Sequence, residues 1–233
     1  LIKTIFFIAG PTASGKSNFS IDLAKKINGV VINSDSMQVY KNLEILTARP
    51  NKNEMQNIDH YLYGYVDGME RYNVEKWCND ATDIIHKTFD KNLNPILVGG
   101  TGLYIHTLIN GLIDIPKIPE RIKNESEKII KEFGRDFLIN QIRKLDPKSL
   151  VEVNSNDTVR LRRIWEVYES TGKKFSEWKL NKNKKFIENY DFKIFLFLPN
   201  RETNYEIVNS RFIKMINGGA IEEVIKLLDL NPQ

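Results

Sequence analysis

Cysteine and histidine are scarce in this chain of 233 residues, which contains one Cys and three His. A single thiol, Cys78, excludes a disulfide framework and a cysteine-rich zinc site. The histidines, His60, His86 and His106, lie far apart in the sequence and do not form a set of structural metal ligands. The chain is long enough to be stabilised by its own hydrophobic core.

Long hydrophobic segments are also absent. No apolar run approaches the roughly 20 residues that a membrane-spanning helix requires, and residues 1–9 have the pattern of a strand rather than of a secretory peptide. Apolar residues make up 41% and charged residues 27% of the chain, which excludes disorder as its main description. We expect a cytoplasmic protein with one large domain, or a core with one sizeable insertion.

The net charge is small but unevenly distributed. It is +4 in total, yet residues 114–185 contain 18 Lys and Arg against 12 Asp and Glu, whereas the rest of the chain has a net charge of −2. Basic segments neutralise phosphates and release counterions, as nucleic-acid-binding proteins do. A lysine-rich helical face exposed to solvent would give the same composition, so charge alone leaves both interpretations open.

Buried strands alternate with helices in the first half of the chain. Continuous apolar runs predict strands at 4–9, 30–33 and 95–98. Apolar residues at helical spacing predict a helix after the first run and another over about 74–91. This alternation predicts an α/β core with a parallel sheet.

The pattern changes after residue 113. Charged amphipathic segments predict helices at 119–133, 135–145 and 157–171. The next predicted strand, 192–198, is followed by a helix at 201–216. We therefore expect an α/β core formed by residues 1–113 and 188–233, interrupted by an all-helical insertion at 114–187.

A phosphate-binding loop follows the first predicted strand. The pattern G-x-x-x-x-G-K-[ST] is matched by Gly10, Pro11, Thr12, Ala13, Ser14, Gly15, Lys16 and Ser17. In such a loop, backbone N–H groups and the N-terminus of the following helix converge on phosphate oxygens. Lys16 would reach the terminal phosphates and Ser17 would offer its hydroxyl to Mg²⁺. The sequence thus predicts a P-loop NTPase-like fold with a phosphate site.

Two polar residues at predicted strand ends are candidates for chemistry beside this loop. Asp35 follows the strand at 30–33 and Thr101 follows the strand at 95–98, and ligands of open α/β sheets bind at the carboxyl ends of the strands. A carboxylate at this place can accept a proton from an attacking nucleophile. The structural alternatives are a turn residue for Asp35 and a helix N-cap for Thr101.

Further motifs carry a family resemblance. The chain resembles the tRNA dimethylallyltransferases of bacterial type. Besides the P-loop, the segments that carry the resemblance, in the order found in that family, are Asn33–Tyr40, Thr47–Pro50, Val98–Tyr104 and Asn156–Arg163. The resemblance extends over essentially the whole chain. It implies transfer of the dimethylallyl group from dimethylallyl diphosphate to N6 of the adenosine on the 3′ side of a tRNA anticodon. The P-loop would then hold the diphosphate leaving group.

The resemblance also implies roles for individual residues. Asp35 matches the general base, Thr101 matches a threonine beside the reacting carbon, and Lys16, with Ser17 and Mg²⁺, would stabilise the departing diphosphate. Arg211 is a further candidate for diphosphate binding. The positions that match tRNA contacts are Asp35, Ser36, Met37, Gln38, Thr101, Asn156, Asp157, Thr158, Val159 and Arg160, together with either Arg121 or Lys123.

Three alternative functions remain open from the sequence. A P-loop kinase for a small metabolite, with Asp35 as base, predicts ATP consumption without RNA. A prenyltransferase for free adenine nucleotides would have little use for a basic insertion, and a non-enzymatic RNA-binding module would tolerate Asp35→Asn. Because the family's later basic segments are not found, we expect the chain to be part of a longer protein. We also expect a monomer that binds the anticodon stem-loop of tRNA and no membrane.

Overall fold

The computed structural model describes residues 2–181 and 183–230. Contacts between residues divide the chain into two compact units. The core unit consists of Leu1–Gly111 and Lys185–Gln233, and the helical unit consists of Leu112–Lys184. None of the helices in the described ranges has the length and apolar character that a membrane crossing requires.

The secondary-structure elements of the described residues alternate as the sequence predicts in the first half of the chain. In chain order they are β1 (Thr4–Ala9), α1 (Lys16–Ile27), β2 (Gly29–Asn33), β3 (His60–Tyr61), α2 (Val74–Asp90), β4 (Asn94–Gly99), α3 (Gly102–Asn110), β5 (Leu112–Ile113), α4 (Glu120–Leu145), α5 (Pro147–Val151), α6 (Thr158–Thr171), α7 (Phe175–Trp178), β6 (Asn183–Lys184), β7 (Asp191–Leu196), α8 (Arg201–Asn217) and α9 (Ala220–Asp229).

A parallel five-stranded sheet forms the centre of the core unit. Its strand order is β3-β2-β4-β1-β7. Val98 of β4 pairs with Ile8 of β1 on one side and with Asn33 of β2 on the other. The carboxyl ends of these three strands therefore lie side by side, and the loops that follow them share one edge of the sheet. The predicted parallel sheet is confirmed.

Burial on both faces explains the continuous apolar sequence of the central strands. Phe7 of β1 and Leu97 of β4 are inaccessible to solvent. Trp77 of α2 is also buried; its ring stacks on Tyr104 with centroids 4.5 Å apart, and its Nε1 donates to the Asn33 carbonyl at 2.9 Å. The end of β2 is thereby fixed to the helix layer.

The helical unit has its own hydrophobic core, in which α4 packs against α6 around Leu138 and Leu161. The two helices predicted at 119–133 and 135–145 form the single element α4 with a kink at Gly134, whose φ of +77° favours glycine. The unit differs from the predicted all-helical insertion in one detail, because β5 and β6 pair as a short antiparallel ladder. Strands of two residues have no periodicity that a sequence could reveal.

Candidate active site

The loop between β1 and α1 exposes backbone N–H groups at the start of α1. Ala13 and Gly15 have φ values of +64° and +87°, a left-handed conformation that lets successive N–H groups point to the same side. Gly15 is the N-cap of α1 and supplies no side-chain cap, so the first-turn N–H groups keep their capacity to bind an anion. The segment from Thr12 to Ser17 lines a cleft of about 360 Å³.

Lys16 connects this loop electrostatically to two other charged residues of the cleft. Its ammonium group donates to the Pro11 carbonyl and, at 3.3 Å, to Ser14 Oγ. Burial lowers the pKa of the Lys16 amine; the negative charge of Asp35 opposes this shift and the positive charge of Arg211 adds to it. Asp35 and Arg211 line the same cleft, so an acid and two bases interact there.

Asp35 lies two residues after the end of β2 and is held by its neighbours. The buried carboxamide of Asn33 accepts from the Asp35 N–H at 2.8 Å and donates to the Asp35 carbonyl at 2.9 Å. The side chain of Asp35 accepts from the Met37 N–H at 2.9 Å, which closes a tight turn. Asp35 is therefore both a turn residue and part of the cleft wall.

Thr101 occupies the N-cap position of α3, but its side chain does not cap that helix. Its Oγ1 instead accepts from the Ser36 N–H at 3.0 Å, which ties the end of β4 to the segment after β2. Gly99 allows this approach, because a Cβ at that position would lie 2.3 Å from the carbonyl carbon of Ser34.

The cleft contains most, though not all, of the candidate residues of the core unit. Those that line it are Thr12, Ala13, Ser14, Gly15, Lys16, Ser17, Asp35, Gln38 and Arg211. The candidates that do not line it are Gly10, Pro11, Ser36, Met37 and Thr101. Of these, Met37 is half exposed, and Thr101 is hydrogen-bonded to the backbone of Ser36.

His60 and Tyr63 also line the cleft and were missed by the sequence reasoning. Their ring centroids are 5.6 Å apart, and His60 Nδ1 lies 2.8 Å from the Ile58 carbonyl oxygen, so Nδ1 carries the proton and Nε2 can accept. Burial lowers the pKa of His60 and raises the pKa of Tyr63, which favours the neutral form of both at pH 7. The short strand β3 that carries His60 offers no sequence signal.

Comparison with known proteins identifies the family. The profile of the IPP transferases matches residues 38–233, and a profile of isopentenyl transferases matches residues 3–67. The chain belongs to the IPP transferase family.

Similar proteins cover almost the whole chain. The tRNA dimethylallyltransferase of Pelagibacter ubique is 46% identical over 226 residues, which are 97% of this chain and 72% of that protein. The one from Rhizobium etli is 38% identical over 98% of this chain and 77% of its own length. A eukaryotic dimethylallyltransferase crystallised acting on tRNA has a TM-score of 0.83 at 32% identity; the match covers 98% of this chain and 56% of that chain. For the tRNA isopentenylpyrophosphate transferase of Bacillus halodurans the TM-score is 0.63 at 32% identity, with coverages of 98% and 71%.

The helical unit of this IPP transferase carries the remaining candidates. Asp157 is the N-cap of α6 and accepts from the Arg160 N–H at 3.0 Å, while its second oxygen lies 3.2 Å from Arg160 Nε. Asn156 Oδ1 accepts from Arg135 of α4 at 2.8 Å. The first turn of α6 projects into solvent, with Val159 78% exposed. This end of α6 therefore presents polar, basic and apolar groups to the solvent.

The sequence left open whether Arg121 or Lys123 is the candidate tRNA contact. The two side chains differ in their ion pairs. Lys123 Nζ lies 2.9 Å from Glu120, and its side chain is 29% exposed. The Arg121 side chain is 80% exposed, and its ion pair with Glu125 is 4.0 Å long. The carbonyl of Lys123 accepts from Arg162 of α6 at 3.3 Å, so it lies against the helix that carries the other candidates.

The P-loop offers few protein atoms that could bind a divalent metal ion. Among the described residues, no three His, Cys, Asp or Glu side chains are grouped to hold a metal ion. Mg²⁺ commonly keeps several waters and binds through one or two protein oxygens plus substrate phosphates. The hydroxyl of Ser17, which lines the cleft, fits that requirement.

Proposed function

We propose that this chain transfers the dimethylallyl group from dimethylallyl diphosphate to N6 of the adenosine 3′-adjacent to a tRNA anticodon, and releases diphosphate. The observation that carries this proposal is the single cleft in which the carboxylate of Asp35 interacts with Lys16 beside the P-loop. A proton acceptor and a cradle for an anionic leaving group are the two parts that this transfer requires. The names of the similar proteins support the same reaction.

The P-loop is proposed to bind the diphosphate. As the bond between the allylic carbon C1 and the bridging oxygen breaks, negative charge grows on the leaving group. The N–H groups at the start of α1 and the side chains of Lys16 and Arg211 are already in the cleft and stabilise this charge. Ser17 would hold Mg²⁺, which when bound neutralises part of the diphosphate charge.

Asp35 is proposed to accept the proton that N6 loses as the nitrogen forms its bond to C1. The two hydrogen bonds with the Asn33 carboxamide fix the backbone of Asp35, and the hydrogen bond from the Met37 N–H fixes its side chain, so little reorganisation is required. Thr101 is proposed to position this segment through Ser36. An anticodon-loop adenine must leave its stack to reach such a cleft. Gln38, which lines the cleft, is proposed to contact the base there, and Ser36 and Met37, which do not line it, are proposed to contact the tRNA beside it.

The helical unit is proposed to bind the tRNA. Residues 114–185 carry the excess of basic side chains, and Lys and Arg at a surface attract the phosphate backbone. The exposed start of α6 at residues 156–160 and one of Arg121 and Lys123 are the proposed contacts. Single substitutions of Arg121 and Lys123, each compared for tRNA affinity, decide between them.

A labelling experiment tests the proposal. The protein is incubated with labelled dimethylallyl diphosphate, Mg²⁺ and either unmodified tRNA or AMP, and a parallel sample contains ATP without RNA. We expect label in tRNA and none in AMP. Label in AMP would identify a nucleotide prenyltransferase, and ATP turnover without RNA would identify a kinase; either result would overturn the proposal.

A further inference from the structure

A carboxylate on α9 binds three consecutive backbone N–H groups of one loop. Glu223 Oε1 accepts from the N–H groups of Glu44 at 2.6 Å and Ile45 at 2.9 Å, and Oε2 accepts from the N–H of Leu46 at 2.9 Å. Hydrogen bonds to an ionised acceptor are roughly twice as strong as those between neutral groups. The side chain therefore fixes the conformation of a segment that is distant from it in sequence.

The environment of Glu223 keeps its carboxylate ionised. Burial by itself would raise the pKa of Glu223, but the three N–H donors and the charge of Arg49 outweigh burial and lower it. Arg49, the last residue of the loop, donates to Glu44 Oε2 at its start at 2.9 Å and to the Tyr40 carbonyl outside it at 3.0 Å. The loop at 44–49 is thus clamped by Glu223 at its start and closed by an ion pair between its two ends.

The clamped loop holds the side chain of Gln38. Gln38 Nε2 donates to the carbonyls of Thr47 at 2.9 Å and Ala48 at 3.1 Å. Because both acceptors are carbonyls, the NH₂ group must face the loop, and Oε1 is the atom left to accept from a ligand in the cleft. The Ala48 N–H donates to the Ile45 carbonyl at 3.0 Å, which connects the Glu223 contacts to the Gln38 contacts.

The backbone of Ala48 requires such support. Its φ is +50°, a left-handed conformation that is uncommon for a residue with a Cβ and persists only where neighbouring contacts impose it. Loss of the Glu223 contacts would let this turn relax, and the two carbonyls that orient Gln38 would move with it.

We infer that Glu223 is a positioning residue for the proposed transfer: it fixes the loop at 44–49 and thereby orients the Gln38 carboxamide toward the nucleobase. This inference rests on the proposed function. Glu223 does not line the cleft, so it acts on the substrate only through the loop.

Substitution of Glu223 by glutamine tests the inference. Glutamine has the same size but replaces one carboxylate oxygen with an NH₂ group, which cannot accept from an amide. The matched control is Glu222→Gln, the same charge change on the adjacent residue, which among the described residues makes no hydrogen bond to this loop. We expect Glu223→Gln to lower kcat/KM for tRNA about tenfold, the size of one charge-assisted hydrogen bond, and Glu222→Gln to stay within about twofold of wild type.

A double-mutant cycle separates positioning from a general structural role. In a Gln38→Ala background, Glu223→Gln should cost less than about twofold further, because the Gln38 side chain is already gone and the other side-chain contact to the Ala48 carbonyl, from Arg211, is long at 3.4 Å. If the losses in kcat/KM of the two single variants multiply in the double variant, the inference is overturned. If Glu223→Gln does not fold at the assay temperature, the same cycle is run with Glu223→Asp, which keeps the charge but is shorter by one methylene.

The outcome for the wild-type protein separates the two proposals. If wild type labels tRNA and folded Glu223→Gln matches its kcat/KM, the inference alone is wrong. If wild type transfers no label to tRNA, the proposed function is wrong and the inference falls with it.

Discussion

Replacement of Asp35 by asparagine tests the centre of the proposed mechanism with little structural change. Asparagine is isosteric, its Oδ1 can still accept from the Met37 N–H, and the Asn33 hydrogen bonds involve only the backbone of residue 35. The substitution therefore removes a negative charge and a proton acceptor while the turn that holds them is kept.

The magnitude follows from the role assigned to the carboxylate. Loss of a general base typically lowers a rate by about 10²–10⁴-fold, which corresponds to roughly 2.7–5.5 kcal/mol of transition-state stabilisation. We expect the loss in kcat rather than in the KM for dimethylallyl diphosphate, because the N–H groups of the P-loop are unchanged.

The same substitution has a second consequence, at Lys16. The charge of Asp35 raises the pKa of Lys16 against the effect of burial, so the pKa must fall further when that charge is removed. Lys16 attracts a phosphate only while it is protonated. As the pH rises, Asp35→Asn should therefore lose pyrophosphate affinity at a lower pH than wild type.

Two measurements check these expectations. Single-turnover transfer of label to tRNA gives the rate, and calorimetric titration with pyrophosphate and Mg²⁺ over a pH series gives the affinity. The thermal unfolding midpoint is the control and should be close to that of wild type. A wild-type rate would refute Asp35 as the base, and an unchanged pH profile of pyrophosphate binding would refute its electrostatic coupling to Lys16.

Three other substitutions test separate parts of the molecule. Lys16→Met should weaken pyrophosphate binding at pH 7 by at least about tenfold with tRNA affinity retained; equal affinity by calorimetry would contradict a role in diphosphate binding. Gly99→Ala places a Cβ 2.3 Å from the Ser34 carbonyl carbon and should lower the free energy of unfolding by about 1–3 kcal/mol, and an unchanged urea midpoint would contradict that steric reasoning. Arg160→Ala should weaken tRNA binding and reduce the slope of log K against log salt by roughly 0.7–0.9, whereas an unchanged slope would exclude a phosphate contact.

Those parts of the fold that depend only on residues close together in the sequence could be predicted from it. The strands β1, β2 and β4 are buried on both faces, so each is a continuous apolar run, and α2 and α6 show apolar residues at helical spacing. The P-loop is a consecutive segment whose glycines and lysine are adjacent in sequence, so its existence required no knowledge of the rest of the chain. Strands β3, β5 and β6 were missed because two residues show no period.

The tertiary structure alone decided which distant residues meet at the cleft. Arg211 lies on α8 and reaches the P-loop side of the sheet because β7, the preceding strand, pairs with β1. His60 comes to the same cleft because β3 pairs with β2. The attachment of Glu223 to the loop at 44–49 has no local signal either, since its partners are backbone amides, which every sequence contains. Local patterns thus determined the central strands, the longer amphipathic helices and the phosphate loop, whereas strand order and backbone hydrogen bonding between distant segments determined the remainder of the site.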